Sequence, residues 1–281
     1  VAAWNIATPY VIGNQVYKLI GGVHLGFTAK TNHTGTDPET DTTATDWKPT
    51  GPTNRWKMFD GAVQSQTENA ESIEVTLVLP PTQWIDSLAV LNVDAASLRI
   101  RVFPPGAVAA VRDETFSLVS SSGIDTLWDY FTEPIERIAD KVVIGLPPYI
   151  GATIQVTIAA PGGTAKCGAL VMGFAKRLGD TRWGGRLGII DYSKKQRNDF
   201  GDLEVFERAY ARSRDFSVLV KNTFVDQLDV LLTRYRATAV LWVGSPRFGS
   251  TIVWGYYRGL EIVFEHPPDY SECRLELESL T

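Results

Sequence analysis

The chain has little cysteine, histidine and methionine for its 281 residues: two Cys, three His and two Met. Cys167 and Cys273 form neither a disulfide framework nor a metal motif. The apolar run around Cys167 indicates a buried thiol. The histidines are scattered, as His24, His33 and His266. Spacing alone therefore points to no catalytic grouping, although the members of a triad meet only in the folded chain.

Catalytic signatures are also missing. There is no Gly-x-Ser-x-Gly elbow, and neither cysteine lies in a nucleophile motif. A glycosidase needs two carboxylates about 5 to 10 Å apart across a cleft. Asp and Glu are so abundant in this sequence that their presence does not distinguish a glycosidase from a protein without catalytic activity. We therefore predict a non-enzymatic protein with no catalytic residue, cofactor or metal site, and we keep a hydrolase as an open alternative.

Long apolar runs and basic blocks are absent as well. No stretch approaches the roughly 20 apolar residues of a membrane span, and no signal peptide pattern is present. The net charge is −5, with 12 Lys and Arg against 17 Asp and Glu through Lys176, and 15 against 15 afterwards. A net-acidic chain is a poor candidate for nucleic-acid binding. We expect synthesis in a cytoplasm and neither a nucleic-acid nor a membrane partner.

Aromatic residues and period-two alternation are what the sequence has in quantity. It holds 8 Trp, 10 Tyr and 12 Phe. Apolar residues alternate cleanly with polar ones through residues 72–79, which predicts a half-buried strand. Roughly eight short strands in about 150 residues are typical of a two-sheet β-sandwich. Apart from 72–79, strands are predicted at 23–29, 85–93, 98–103, 115–119, 141–146, 153–159 and 166–174, with one helical turn at 132–137.

A short stretch at residues 53–61 mixes polar and apolar residues most densely. It places a Trp, a Met and a Phe between charges and ends in Asp60-Gly61, which predicts a tight turn. We expect Trp56 and Phe59 to be buried where this turn meets the sandwich.

A long polar loop precedes this stretch, at residues 32–52. It carries Asp37, Glu39, Asp41 and Asp46, whose oxygen atoms are the ligands that calcium prefers. Their spacing matches no known calcium loop, so we favour a solvated or interface loop.

Two groups of aromatic residues are candidate contact residues. Trp47 and Trp56 flank the polar loop, while Trp128, Tyr130 and Phe131 cluster further on. Exposed aromatic rings stack on sugars or form interfaces. We favour packing at the edge of the sandwich for each of them.

The pattern changes after Lys176, where Gly and Arg are frequent. This stretch has no phosphate-binding fingerprint, and we interpret it as a linker and surface loops. For Lys194, Lys195 and Arg197 we favour a solvated loop over a local basic face. Apolar residues recur at helical spacing through residues 222–236, with Asn222 or Thr223 as candidate caps. Strands are predicted at 188–192, 203–210, 214–220, 239–243, 251–264 and 273–280, the fifth bent near Gly255 or Gly259 and paired with the fourth as a hairpin.

The layout of roughly residues 20–176 resembles a galactose-binding-like jelly roll, as found in discoidin-type and carbohydrate-binding modules. No residue of this sequence matches the sugar-contacting residues of those modules, so the resemblance predicts no sugar-binding residue here. We expect a mainly β protein with three parts. They are an N-terminal arm or first strand at 1–20, the jelly-roll β-sandwich at 21–176, and a smaller α+β domain at 177–281 with one amphipathic helix and a terminal hairpin.

The stretch at 53–61, the jelly roll and the Tyr-rich hairpin domain together resemble a structural protein of tailed bacteriophages, from the tail tip or baseplate. The resemblance implies a place in the virion, contacts with other tail proteins, and a homo-oligomer around the tail axis. An alternative is a carbohydrate- or receptor-binding module of the same particle, whose loop at 32–52 reaches a glycan on the host surface.

Overall fold

The first part of the chain forms a small sheet around Trp47. The computed structural model describes residues 1–120, 124–197, 201–264 and 269–280. Its first strands are β1 (Ala2–Ala3), β2 (Pro9–Tyr10), β3 (Gln15–Ile20), β4 (Val23–Ala29), β5 (His33–Thr34) and β6 (Trp47–Pro52). The sheet order is β1-β3-β4-β6, and the Trp47 side chain is 1% exposed between them.

The predicted boundary between residues 20 and 21 divides a hairpin of this sheet. β3 pairs with β4 in an antiparallel register from Gln15 to Ile20. Gly21 and Gly22 form the turn, with φ angles of +58° and +85° that favour glycine. The glycine pair is therefore a hairpin turn, so β1 and β3 belong to the same sheet as the strand at 23–29, while β2 pairs with β5 in a separate two-stranded sheet.

The second part is a curled antiparallel sheet organised by one long strand, β12. Its elements are a 3₁₀ helix (Asn54–Phe59), β7 (Thr67–Val78), β8 (Ser87–Asp94), β9 (Ser97–Phe103), β10 (Arg112–Ser117), α1 (Leu127–Thr132), β11 (Lys141–Ile144) and β12 (Thr153–Gly173). The first half of β12 lies between β7 and β9, and its second half pairs with β8. The β7–β12 register shifts between Ala159 and Thr164, where the strand predicted as two segments continues as one.

The inner faces of this curled sheet share a single apolar core. In β12, Ile154, Val156 and Ile158 are each at most 1% exposed, as the strict alternation predicts. They pack with the buried residues Leu88, Val90, Leu98, Ile100, Val102 and Leu170. Strands make up 52% of the structure and helices 10%, so the prediction of a mainly β, sandwich-like fold with little helix is confirmed.

The stretch at 53–61 meets this core through its methionine. Met58 is 1% exposed, whereas Trp56 and Phe59 are half-buried. The prediction that both aromatics are buried was therefore wrong in degree. Residues three apart share a face of a 3₁₀ helix, and the Trp56 and Phe59 ring centroids lie 6.0 Å apart. Met58 lies inside the core, and Phe59 packs against its edge.

The predicted helical turn at 132–137 was also wrong. The helix is α1, which ends at Thr132. Thr126 caps it: the Thr126 hydroxyl accepts from the Asp129 amide, and the Asp129 carboxylate accepts from the Thr126 amide. This capping box fixes the beginning of the helix at Leu127. The helix ends at Thr132, so Pro134 lies outside it.

The third part is a second antiparallel sheet covered by one helix. Its elements are β13 (Asp180–Thr181), β14 (Arg186–Asp191), β15 (Lys194–Arg197), β16 (Leu203–Phe206), β17 (Tyr210–Lys221), α2 (Val225–Arg234), β18 (Val240–Val243), β19 (Ile252–Phe264) and β20 (Tyr270–Ser279). Val225, Leu228 and Leu232 of α2 are buried against the sheet. β18 and β19 form the predicted hairpin, and the register of β19 shifts between Tyr257 and Gly259, near a predicted bend.

Two predictions for this part need correction. The N-cap of α2 is Phe224, without a side-chain cap, because residues 222–224 form a preceding 3₁₀ turn. The Gly-rich stretch, predicted as a linker, contains β13, and the strand predicted at 188–192 is β14, which begins two residues earlier at Arg186; both strands pair with β17. Gly179 permits this pairing, because a Cβ atom there would lie 2.2 Å from the Leu219 carbonyl oxygen.

The second and third parts pack against each other. Ala89, Leu91 and Ala169 on the outer face of the curled sheet contact Ile252. The Asp140 carboxylate, 8% exposed, accepts from Arg212 Nη1 at 2.6 Å and from the Asn92 amide at 3.0 Å. Trp254 Nε1 also donates to the Gly61 carbonyl at 3.0 Å. The turn at the end of residues 53–61 is therefore an anchoring point for the third part.

Candidate functional site

A cleft of about 820 Å³ lies between the second and third parts. Its walls are mostly apolar side chains from β8, β12, α2 and β18. Among the described residues that line it, Asp86 is the only carboxylate, and its Oδ1 atom accepts from the Ala175 amide at 2.8 Å. The described part of the cleft therefore offers an apolar surface and no pair of carboxylates for acid–base chemistry.

The acidic residues of the loop at 32–52 hold the loop together. Asp37 accepts from Lys18 Nζ at 2.7 Å. Asp41 accepts from three backbone amides, the Trp47 amide among them, which lowers the pKa of its carboxyl. Hydroxyls of two threonines lower the pKa of Asp46 in the same way. Among the described residues no three His, Cys, Asp or Glu side chains are grouped to hold a metal ion.

The thiols and histidines form no nucleophile–base pair in the described residues. Burial raises the pKa of Cys167 to about 12 and that of Cys273 to about 11, so both thiols stay protonated. His24 and His33 pack against aromatic rings. His266 lies outside the described residues. Thiolate chemistry of the kind that catalytic cysteines perform is therefore absent from these two sites.

An exposed segment at residues 125–136, which we call the aromatic loop, connects β10 to β11. Its helix α1 has no buried residue. Five large apolar side chains are between 67% and 77% exposed: Leu127, Trp128, Tyr130, Phe131 and Ile135. Edge packing, which we favoured for the aromatics, describes the buried Trp47 but not these rings. The same segment carries the carboxylates of Asp125, Asp129, Glu133 and Glu136.

The antiparallel pair β15–β16, which we call the ribbon, is a second exposed surface. Residues predicted as a solvated loop form its first strand. Leu203, Val205 and Phe206 of its second strand are 60%, 56% and 50% exposed. Strand alternation predicted β16, but the exposure of its apolar residues has no local signal, because it depends on what the ribbon packs against.

Cross-strand pairing gives the two faces of the ribbon different chemistry. Directly opposite residues share a face. Lys195 pairs with Val205 and Arg197 with Leu203, so one face, the basic face, combines two cations with two aliphatic side chains. Lys194, opposite Phe206, lies on the other face.

The strand β14, which precedes the ribbon in the chain, also exposes apolar side chains. Leu187 and Ile189 are 54% and 70% exposed, and Trp183, just before the strand, is 95% exposed. Among the described residues β14 pairs only with β17, so its other edge carries unpaired backbone groups.

No family model, no curated protein and no solved structure matches the chain. Among the described residues no helix is long and apolar enough to cross a bilayer.

Proposed function

We propose that this chain is a non-enzymatic structural protein of the tail tip or baseplate of a tailed bacteriophage. It acts through assembly contacts with other tail proteins and with further copies of itself around the tail axis. In this proposal the curled sheet is the galactose-binding-like jelly roll, and the mature protein resides in the virion.

The ribbon is the observation that carries the proposal. An isolated two-stranded ribbon is marginally stable in water, and the apolar residues of β16 are at least half exposed. Contiguous exposed apolar surface marks interaction sites in soluble proteins. A partner that covers the ribbon provides the missing burial, as expected for a subunit of a larger particle.

Electron microscopy of purified particles labelled with an antibody to this chain tests the proposal. We expect label at one end of the tail, and absence of the chain from the particles would overturn the proposal. In complementation, Leu203→Ser/Val205→Ser should reduce the yield of particles. Val230→Ser is the control, because Val230 is similarly exposed, at 63%, but lies on α2.

The exposed rings of the aromatic loop favour a second candidate, a carbohydrate- or receptor-binding module of the same particle. Trp128 is 74% exposed and available to stack on a sugar ring. A glycan array with the full chain tests this function. Binding that Trp128→Ala abolishes and Trp183→Ala leaves unchanged would support it, whereas no binding at millimolar sugar would count against it. No observation on the described residues supports the hydrolase alternative.

A further inference from the structure

The aromatic loop and the ribbon carry opposite charges. The loop has four carboxylates and lies next to one cation, Arg137, whose Nε atom is 3.2 Å from Asp94 Oδ1. That cation is therefore already shared with a carboxylate outside the loop. The basic face of the ribbon has two cations, of which Lys195 contacts Asp191 at 3.2 Å in an exposed pair. Exposed pairs of this kind are weak, so the cation remains available to a partner.

We propose that the aromatic loop of one copy docks on the basic face of the ribbon of a second copy. The inference rests on the proposed function, since it names one partner of the assembly surface. Both surfaces are exposed in the same chain, so they do not cover each other within one copy. Aromatic rings meet aliphatic side chains in this contact, and carboxylates meet Lys195 and Arg197, which gives it both burial and electrostatic complementarity.

Charge also selects the geometry of the contact. Docking loop against loop would bring together two sets of four carboxylates, and like charges disfavour such an interface. The contact therefore joins two different surfaces: repeated head to tail it closes a ring or extends a filament, and made reciprocally it gives a two-fold dimer. The three exposed rings provide roughly 400 Å², about half of the roughly 800 Å² per partner in a standard interface. The neighbouring aliphatic side chains extend this area.

Sedimentation velocity of the full chain with charge-reversed variants tests the inference. The wild-type chain should self-associate, and more weakly as salt is raised from about 0.05 to 0.5 M. Lys195→Glu/Arg197→Glu and Glu133→Lys/Glu136→Lys should each weaken self-association by about 100-fold or more. An equimolar mixture of the two variants should associate again, because the unaltered acidic loop of the first variant then meets the unaltered basic face of the second.

The control is a substitution on the other face of the same strand. Lys194→Glu should leave self-association within about twofold of wild type, whereas Lys195→Glu should weaken it at least about tenfold. Equal effects of these two substitutions would overturn the inference, as would a monomeric wild-type chain at about 100 µM in low salt. A chain that is monomeric alone but present in the tail would overturn only the inference. A chain that self-associates in this way but is absent from particles would overturn only the proposed function.

Discussion

The hydroxyl of Thr67 connects the 3₁₀ helix at 54–59 to β7, and removing it tests how that corner is held. Thr67 is 5% exposed. Its Oγ1 atom accepts from the Met58 amide at 3.0 Å and donates to the Asn54 carbonyl at 2.7 Å. Thr67→Val keeps the size and branching of the side chain, so it opens no cavity and removes only these hydrogen bonds.

The expected cost of Thr67→Val follows from the groups left behind. The Met58 amide belongs to a residue that is 1% exposed, and an unpaired buried donor costs about 1–3 kcal/mol. The Asn54 carbonyl belongs to an exposed residue and regains water, so its loss is about 1 kcal/mol or less. We expect the free energy of unfolding to fall by about 1–4 kcal/mol, which corresponds to a decrease of roughly 1 M in the urea midpoint at an m-value of about 3 kcal/mol/M.

Two variants make the measurement decisive. Thr67→Ser keeps the hydroxyl and should cost only about 1 kcal/mol for the lost methyl group. Thr76→Val is the same substitution on the exposed side of the same strand and should change stability by less than about 0.5 kcal/mol. If Thr67→Val were no more destabilising than Thr67→Ser, these hydrogen bonds would not hold the corner.

Three further outcomes are expected. Cys167 and Cys273 should react with a chromogenic thiol reagent at pH 8 only after unfolding, because burial raises their pKa values to about 12 and about 11; rapid reaction of the native chain would contradict this. Asp140→Asn should lower the free energy of unfolding by about 1–3 kcal/mol in urea, since Arg212 is left half-buried without its counter-charge; an unchanged midpoint would show that the pair adds nothing. Hydrogen bonds from Ser193 lower the pKa of Asp191 to about 2. The contribution of these bonds to stability should therefore be complete above about pH 4 and disappear as the pH falls through about 2. A titration midpoint near pH 4 for Asp191, measured by NMR, would refute this.

Much of the strand content could be read from the sequence, because burial of one face leaves a period of two. Ile154, Val156 and Ile158 follow that rule, and so does the strand at 72–79. The amphipathic helix at 225–234 was readable for the same reason, at a period near 3.6. These elements are specified by which residues are apolar, and their neighbours in space need not be known.

Features that depend on pairing or on local hydrogen bonds were harder to predict. The capping box of Thr126 and Asp129 was present in the sequence as a local signal, yet Pro134 drew the prediction beyond the helix. The glycine pair after residue 20 suits a hairpin turn as well as a domain boundary, and only the pairing of β3 with β4 distinguishes the two. The acidic residues at 32–52 resembled a ligand set because a sequence does not show which backbone amides they accept from.

The ribbon shows most clearly what one chain cannot specify. Apolar residues in a strand normally indicate a face that the same chain buries, but Leu203 and Val205 lie beside Lys195 and Arg197 on a face that is open to solvent. Only the cross-strand register, which the sequence does not state, places cations and aliphatic side chains together. Places where local rules fail in a natural protein are expected to be functional. The fold of a single copy does not explain why Leu203 and Val205 are exposed. Contacts between copies should therefore be sought first at these residues and at the cations beside them.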